Sequence, residues 1–393
     1  MAVKSEEQRM EVKAQGFVAP GFEKAREAFE ANWQGYEVGA CFSAVHRGRT
    51  VVDLWGGWLD RECTRPWPKD TLVNVYSTTK GMGSLAAAIL ADEGRLDYQA
   101  RVVQYWPEFG AEGKEKITVA QLLSHQAGLC GLTQKITVED LYDWDKMVRL
   151  LAAMKPLWEP GTAAGYHAVT WGFFAGELIR RITGQTLGAY FHQKVARLLA
   201  ADFYIGLPDS EMGRVADIIG PNRARVPQKK IDPARKMPPL YNIALMNPSI
   251  RPFKDASSYA WRKAEIAAAN GQANGRGMAR IYGALANGGE IDGLRIISRA
   301  GIEAATVEEV DGSRLNLVTG RAMRFGRGFG LNSEGHYGPN PRSFGHAGAG
   351  GSLGFADPDA GLGFGYAMNQ MQVNEDDERR SDRLVQAVYE CVS

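Results

Sequence analysis

Asn74-Val75-Tyr76-Ser77-Thr78-Thr79-Lys80-Gly81-Met82 runs into an Ala- and Leu-rich stretch, Ser84 to Leu90, that reads as a buried helix. Positions i and i+3 share a helix face, so the Ser77 hydroxyl and the Lys80 amine are expected to point at one spot. A serine hydroxyl is a weak nucleophile until a base takes its proton. A lysine becomes that base where burial disfavours its ammonium form. If Ser77 opens the helix, the positive end of the helix dipole also favours negative charge developing there. The pattern S-x-x-K arises about once by chance in a chain of this composition. On its own it equally describes a Ser/Thr-rich helix start with a solvated lysine.

Bulk composition narrows the classes. The 393 residues suffice for a large core and two lobes. With 45% hydrophobic and 23% charged residues, the chain has the balance of a soluble globular protein. A formal net charge of +1 gives no strong field for nucleic acid or other polyanions. No apolar run reaches the length of a membrane span. Met1-Ala2-Val3-Lys4-Ser5-Glu6-Glu7 is charged and lacks the apolar core of a signal peptide, so the expected compartment is the cytoplasm. Cys41, Cys63, Cys130 and Cys391 show no paired spacing and fit isolated, reduced thiols. No C-x-x-C or H-E-x-x-H pattern is present and the six histidines are scattered, so no metal is expected. The oligomeric state is not legible.

Elements alternate in a way that suggests two lobes. Phe22 to Trp33 predicts an amphipathic helix. Val38 to Val45 and Thr50 to Gly56 predict a hairpin turning at His46-Arg47-Gly48-Arg49. Residues 98–270 read as mostly helical, most clearly over Val119 to Ser124 and Trp171 to Thr183. Residues 206–240 are rich in Pro, Lys and Arg and read as a surface loop. Strands return at Gly326 to Leu331, Ser352 to Ala356 and Leu362 to Met368, the last two joined by the turn Asp357-Pro358-Asp359-Ala360-Gly361. Glu375 to Val392 predicts a closing helix. The economical architecture is an α/β lobe of residues 1–97 and 271–393, with a mainly helical lobe of 98–270 inserted. A cleft between them is the natural place for a site.

Two further stretches carry chemistry. Trp158-Glu159-Pro160-Gly161-Thr162-Ala163-Ala164-Gly165-Tyr166-His167-Ala168 places a tyrosine after a Pro-Gly loop. A tyrosine relays protons where nearby cations lower its pKa, but read alone Tyr166 is an ordinary half-buried aromatic and His167 a structural polar residue. Phe344-Gly345-His346-Ala347-Gly348-Ala349-Gly350-Gly351-Ser352-Leu353-Gly354 is dense enough in glycine to bring backbone N–H groups close to a ligand, on what reads as an edge strand beside a cleft. Its Gly350-Gly351-Ser352-Leu353-Gly354 also matches G-x-S-x-G, the nucleophile elbow of α/β-hydrolases. That elbow needs strand, sharp turn and helix, whereas Ser352 leads into a strand and Pro358, so Ser352 reads as structural.

Taken in order, these stretches resemble the serine β-lactamase/penicillin-binding-protein superfamily, and within it the family VIII carboxylesterases, which are similar to class C β-lactamases. Ser77-Thr78-Thr79-Lys80 resembles the S-x-x-K motif. Leu122-Leu123-Ser124-His125-Gln126-Ala127-Gly128-Leu129 resembles the family's LLSHTSGL helix end. Pro160-Gly161-Thr162 through Tyr166 resembles the approach to the Y-x-N motif, and His346-Ala347-Gly348 the K-T-G strand. The likeness spans about residues 20–390. It implies a β-lactamase-like fold of the α/β (α+β) class: an antiparallel sheet flanked by helices plus an inserted, mainly helical lobe.

The resemblance also implies roles. Ser77 would be acylated, with Lys80 and Tyr166 sharing proton abstraction and leaving-group protonation. The N–H groups of Ser77 and Ala349 would form the oxyanion hole. His346, Gly348, Trp158 and His167 would face substrate. No cofactor is implied. Two departures bear on substrate: Ala168 stands where the Asn of Y-x-N is expected, and His346 replaces the lysine that would hold a β-lactam carboxylate. Both favour small or short-chain neutral esters, with Trp158, Trp171, Tyr241 and Trp261 as candidate walls of an apolar pocket. Acyl transfer to another acceptor, weak β-lactamase or D-aminopeptidase activity, and a non-catalytic binding protein are the competing expectations.

Overall fold

The computed structural model describes residues 12–35, 37–221, 237–372 and 380–392. Strands from both ends of the chain meet in one antiparallel sheet of nine. They are β1 (Gln15–Val18), β2 (Gly39–His46), β3 (Arg49–Gly57), β4 (Val310–Leu315), β5 (Ala322–Phe325), β6 (Gly330–Leu331), β7 (Phe344–Ala347), β8 (Leu353–Asp357) and β9 (Leu362–Met368). The order across the sheet is β1-β3-β2-β9-β8-β7-β6-β5-β4. At its centre β2 pairs with β9, from Ala40 opposite Met368 to His46 opposite Leu362. The β2–β3 hairpin closes through Arg47 and Gly48, both at positive φ (48° and 76°), the two-residue turn whose twist matches paired strands.

Alternation along the strands sends residues to two layers. On one face Phe42, Phe355 and Phe364 pack under the terminal helices α1 (Glu23–Gly35) and α5 (Arg380–Val392), against Phe29, Trp33, Leu384 and Val388. Each fully buried phenylalanine there contributes about 1.5–3 kcal/mol relative to exposure. Helix α4 (Gly275–Ala286) covers the other face. It approaches β9 closely because glycines meet: a Cβ on Gly363 would lie 2.1 Å from the Gly283 nitrogen, and one on Gly365 2.3 Å from the Gly275 oxygen.

Beyond α4 lies the larger core, built around α2 (Thr79–Asp92) and α3 (Thr170–Thr183). From Thr79 to Leu90 every residue of α2 is buried, lysine included. Gly83 lets the Trp171 ring sit 2.8 Å from where its Cβ would be, so α2 and α3 pack at close range. Helices and short 3-10 turns dominate 98–270, and Phe203–Tyr204 adds one strand to a small sheet with Val73–Asn74 and Gln272–Ala273. Among the described residues no helix is long and apolar enough to cross a membrane.

The architecture is the expected mixture of antiparallel sheet and helices, with several differences in detail. Of the strand predicted over Gly326 to Leu331, only Gly330–Leu331 is paired. Strand β7 is not an edge strand, since it lies between β6 and β8. Along β7 the two-residue β6 reaches only Phe344 and Gly345, however, so His346 and Ala347 are not paired on that side. Strands β1, β4 and β5 and helix α4 have weak periodicity and were not foreseen. The closing helix is described from Arg380, and residues 222–236 of the basic stretch at 206–240 lie outside the described residues.

Candidate active site

Ser77 sits in a short 3-10 turn, Tyr76–Thr78, that feeds directly into α2. Tyr76 just before it has φ 45°, a left-handed conformation that costs a bulky residue about 1–3 kcal/mol and must be held by its surroundings. The Tyr76 hydroxyl donates to the Pro252 carbonyl and the Thr79 hydroxyl to the Tyr76 carbonyl. On the other side Ser352 donates to the Val75 carbonyl (2.8 Å) and shares a 3.0 Å hydrogen bond with the Thr78 hydroxyl. The turn's own hydrogen bonds use the N–H groups of Thr78 and Thr79, which leaves that of Ser77 outside them.

Lys80, one helical turn on, is completely buried. Its Nζ lies 3.3 Å from Ser77 Oγ, 2.7 Å from the Ala168 carbonyl and 2.9 Å from the Ala268 carbonyl. No carboxylate pairs with it among the described residues. Burial without a counter-charge holds its pKa well below the ordinary ammonium range. In the neutral amine two N–H groups serve the two carbonyls and the lone pair is left for the serine hydroxyl. Nζ also stands 4.7 Å from the centre of the Tyr166 ring.

The segment carrying Tyr166 is held at each N–H. Gly165 donates to the His125 carbonyl (3.0 Å), Tyr166 to Asn316 Oδ1 (3.0 Å) and His167 to His125 Nδ1 (3.0 Å). The Tyr166 ring is 8% exposed and lies beside the rings of His125, His346 and Phe325. His346 is 6% exposed; its Nδ1 donates to the Ala347 carbonyl, and burial, with Lys80 nearby, pushes its pKa down to about 3. Strand β7 therefore presents a neutral imidazole. Gly348 fits between Ser352 and the Ser77 turn as only a glycine can, because a Cβ there would lie 2.2 Å from both Ser352 Oγ and the Val75 oxygen. The N–H of Ala349 donates to no described residue.

Ser77, Lys80, Tyr166 and His346 are thus brought together, and Gly348 lies against the Ser77 turn. His167 is not available to substrate. It is fully buried, its Nδ1 donates to the Gly165 carbonyl, its Nε2 accepts from the Leu129 N–H, and burial pushes its pKa down to about 3. Trp158 is half-buried and packs against Gly165, with its indole N–H on the Ala163 carbonyl. Trp171 and Trp261 are fully buried core residues, so neither walls a pocket. Ser352 is 1% exposed and braces the Ser77 turn, and the chain that follows it is strand β8, so the elbow geometry is absent. Sequence reasoning gave no role to His125 or Asn316; the first lay inside a quoted motif, and the second is 150 residues from its partner.

A serine and a buried, unpaired lysine one turn apart, facing a tyrosine and a glycine-rich strand, occur in a chain whose residues 18–389 match the Beta-lactamase family model. The chain belongs to the beta-lactamase family. It is 36% identical over 365 residues to Esterase/beta-lactamase LipL of Mycobacterium tuberculosis, covering 91% of this chain and 83% of that protein. The crystal structure of a family VIII carboxylesterase superposes with a TM-score of 0.90 at 51% identity, covering 96% of this chain and 99% of the other. A penicillin-binding protein homologue from Caulobacter crescentus superposes with a TM-score of 0.87 at 42% identity, covering 96% and 99%. The β-lactamase-like fold expected from the sequence is therefore the fold of this family member.

Proposed function

We propose that this member of the beta-lactamase family is a serine carboxylesterase that hydrolyses small or short-chain esters through an acyl-enzyme on Ser77, in the cleft between the lobe of residues 1–97 and 271–393 and the helical lobe of 98–270. The single observation that carries the proposal is the buried Lys80 amine, 3.3 Å from Ser77 Oγ and, among the described residues, bonded otherwise only to two carbonyls. A neutral amine there takes the Ser77 proton as Oγ bonds to the ester carbonyl carbon. The oxyanion that forms is received by the N–H groups of Ser77 and Ala349. As the carbon–oxygen bond to the alcohol breaks, the proton returns to the leaving oxygen through Lys80 and Tyr166. Water then attacks the acyl group by the same route in reverse, releasing the acid.

Charge supports an uncharged substrate. Lys80, His125, His167 and His346 are all driven towards their neutral forms by burial. The position on β7 where a cation would hold a carboxylate is a neutral imidazole. The naming of two similar proteins as esterases agrees with this. The four free cysteines, three of them buried, fit a cytoplasmic enzyme.

Fluorophosphonate labelling followed by digestion and mass spectrometry tests the assignment. The label is expected on Ser77, and Ser77→Ala is expected to abolish hydrolysis of a chromogenic ester. Label on Ser352, or full activity in Ser77→Ala, would refute it. Resemblance to a penicillin-binding protein homologue makes β-lactam turnover the second reading. Nitrocefin hydrolysis faster than ester hydrolysis by the same preparation would favour that reading.

A further inference from the structure

We infer that His125 is a positioning residue that fixes Tyr166 against Lys80, which rests on the assignment of Tyr166 to proton transfer. His125 follows the short helix Val119–Leu123 and stands at φ 68°, a left-handed conformation that non-glycine residues adopt only under constraint. That conformation aims two acceptors of one residue at the same neighbouring segment. The His125 carbonyl takes the Gly165 N–H and its Nδ1 takes the His167 N–H, each at 3.0 Å. Tyr166 is thereby gripped on both sides, and its ring rests 5.0 Å from the imidazole. Ala168, directly after His167, supplies a carbonyl to Lys80. A shift of this segment therefore moves Tyr166 and the Lys80 acceptor together.

The imidazole has an unusual cost. It is fully buried, and its Nε2 has no hydrogen-bond partner among the described residues. Nδ1 accepts a backbone N–H, so the ring proton sits on Nε2 and is unmet, which an apolar side chain would avoid. What the imidazole gives in return is the Nδ1 acceptor. Acceptance requires the neutral ring. Burial, together with His167, Lys80 and His346 around it, keeps the ring neutral. The Tyr166, His167 and Phe325 rings pack around it.

Asparagine separates this role from simple packing. Its Oδ1 stands where the imidazole Nδ1 does, and it tolerates positive φ; glutamine places its oxygen one bond further out. With active sites counted by fluorophosphonate titration of Ser77, His125→Gln and His125→Ala are expected to lower kcat per site by about tenfold or more, with KM changed little. His125→Asn is expected to stay within about threefold of the parent protein, that is, to be rescued. In a Tyr166→Phe background the same His125→Gln change is expected to lower kcat by less than about twofold, because the residue acts through Tyr166. If His125→Ala does not fold, the Asn and Gln variants carry the comparison. Equal kcat per site in Asn and Gln, or an undiminished His125→Gln effect without the Tyr166 hydroxyl, overturns the inference. Neither outcome touches the labelling of Ser77, so failure here is distinct from failure of the esterase assignment.

Discussion

Lys80 acts as a base only if the folded protein keeps it neutral, and that state leaves a thermodynamic trace. In the unfolded chain the amine titrates near its ordinary 10.5; in the fold its pKa is well below that. Between the two values unfolding takes up a proton, so stability rises with pH across the window and falls as pH drops through it. Lys80→Met removes this linkage. The unfolding free energy of the parent protein minus that of Lys80→Met is expected to grow by up to about 1.4 kcal/mol per pH unit from pH 7 to 9, measured by urea denaturation. A flat difference would mean a charged Lys80 and would exclude it as the base. The 77/80 spacing was legible because i and i+3 on a helix are local geometry. The Ala168 and Ala268 carbonyls that fix the amine were not, since they arrive from 88 and 188 residues away and backbone acceptors carry no residue signature.

At the scale of elements, the contact between α4 and β9 depends on paired glycines. A Cβ at Gly363 would sit 2.1 Å from the Gly283 nitrogen and 2.6 Å from the Tyr282 carbonyl carbon, and backbone cannot swing aside as a side chain does. Gly363→Ala is expected to cost about 3 kcal/mol or more, read as a lower urea midpoint. Gly35→Ala, at the end of α1 with nothing within 4 Å of its Cβ, is expected to stay within about 0.5 kcal/mol of the parent. The hairpin at residues 39–57 and the strands flanking Asp357–Gly361 were legible because turn chemistry and alternation coincide. Helix α4 was missed because Gly275, Gly277 and Gly283 weaken helix propensity, and the close approach that explains them is tertiary. Strand β4 is mostly exposed and β5 is four residues long and largely half-buried, so neither shows a clear apolar alternation.

For the molecule as a whole, three buried neutral histidines make acid a threat to the fold. His125, His167 and His346 would titrate near 6.5 if unfolded, while burial holds all three below that, two of them at about 3. Below pH 6.5 the unfolded chain binds protons that the folded one refuses, so stability declines as pH falls. Together they steepen the loss by up to about 4 kcal/mol per pH unit. Urea midpoints at pH 7 and 5.5 check this, and His346→Gln is expected to flatten the slope by about a third. That strands from the two ends of the chain meet in one sheet was legible in the placing of strands at both ends and helices between them; the order of pairing was not, because long-range pairing has no local signal. That pairing has a consequence for how the protein is made. The strand that completes the sheet's centre, residues 362–368, emerges from the ribosome after more than three hundred residues have left β2 with an open edge. Until then the nascent chain carries an open strand edge and an uncovered apolar face, a combination prone to sticking to other chains. Shielding of that edge during synthesis is therefore expected to bear on yield alongside the stability of the finished fold.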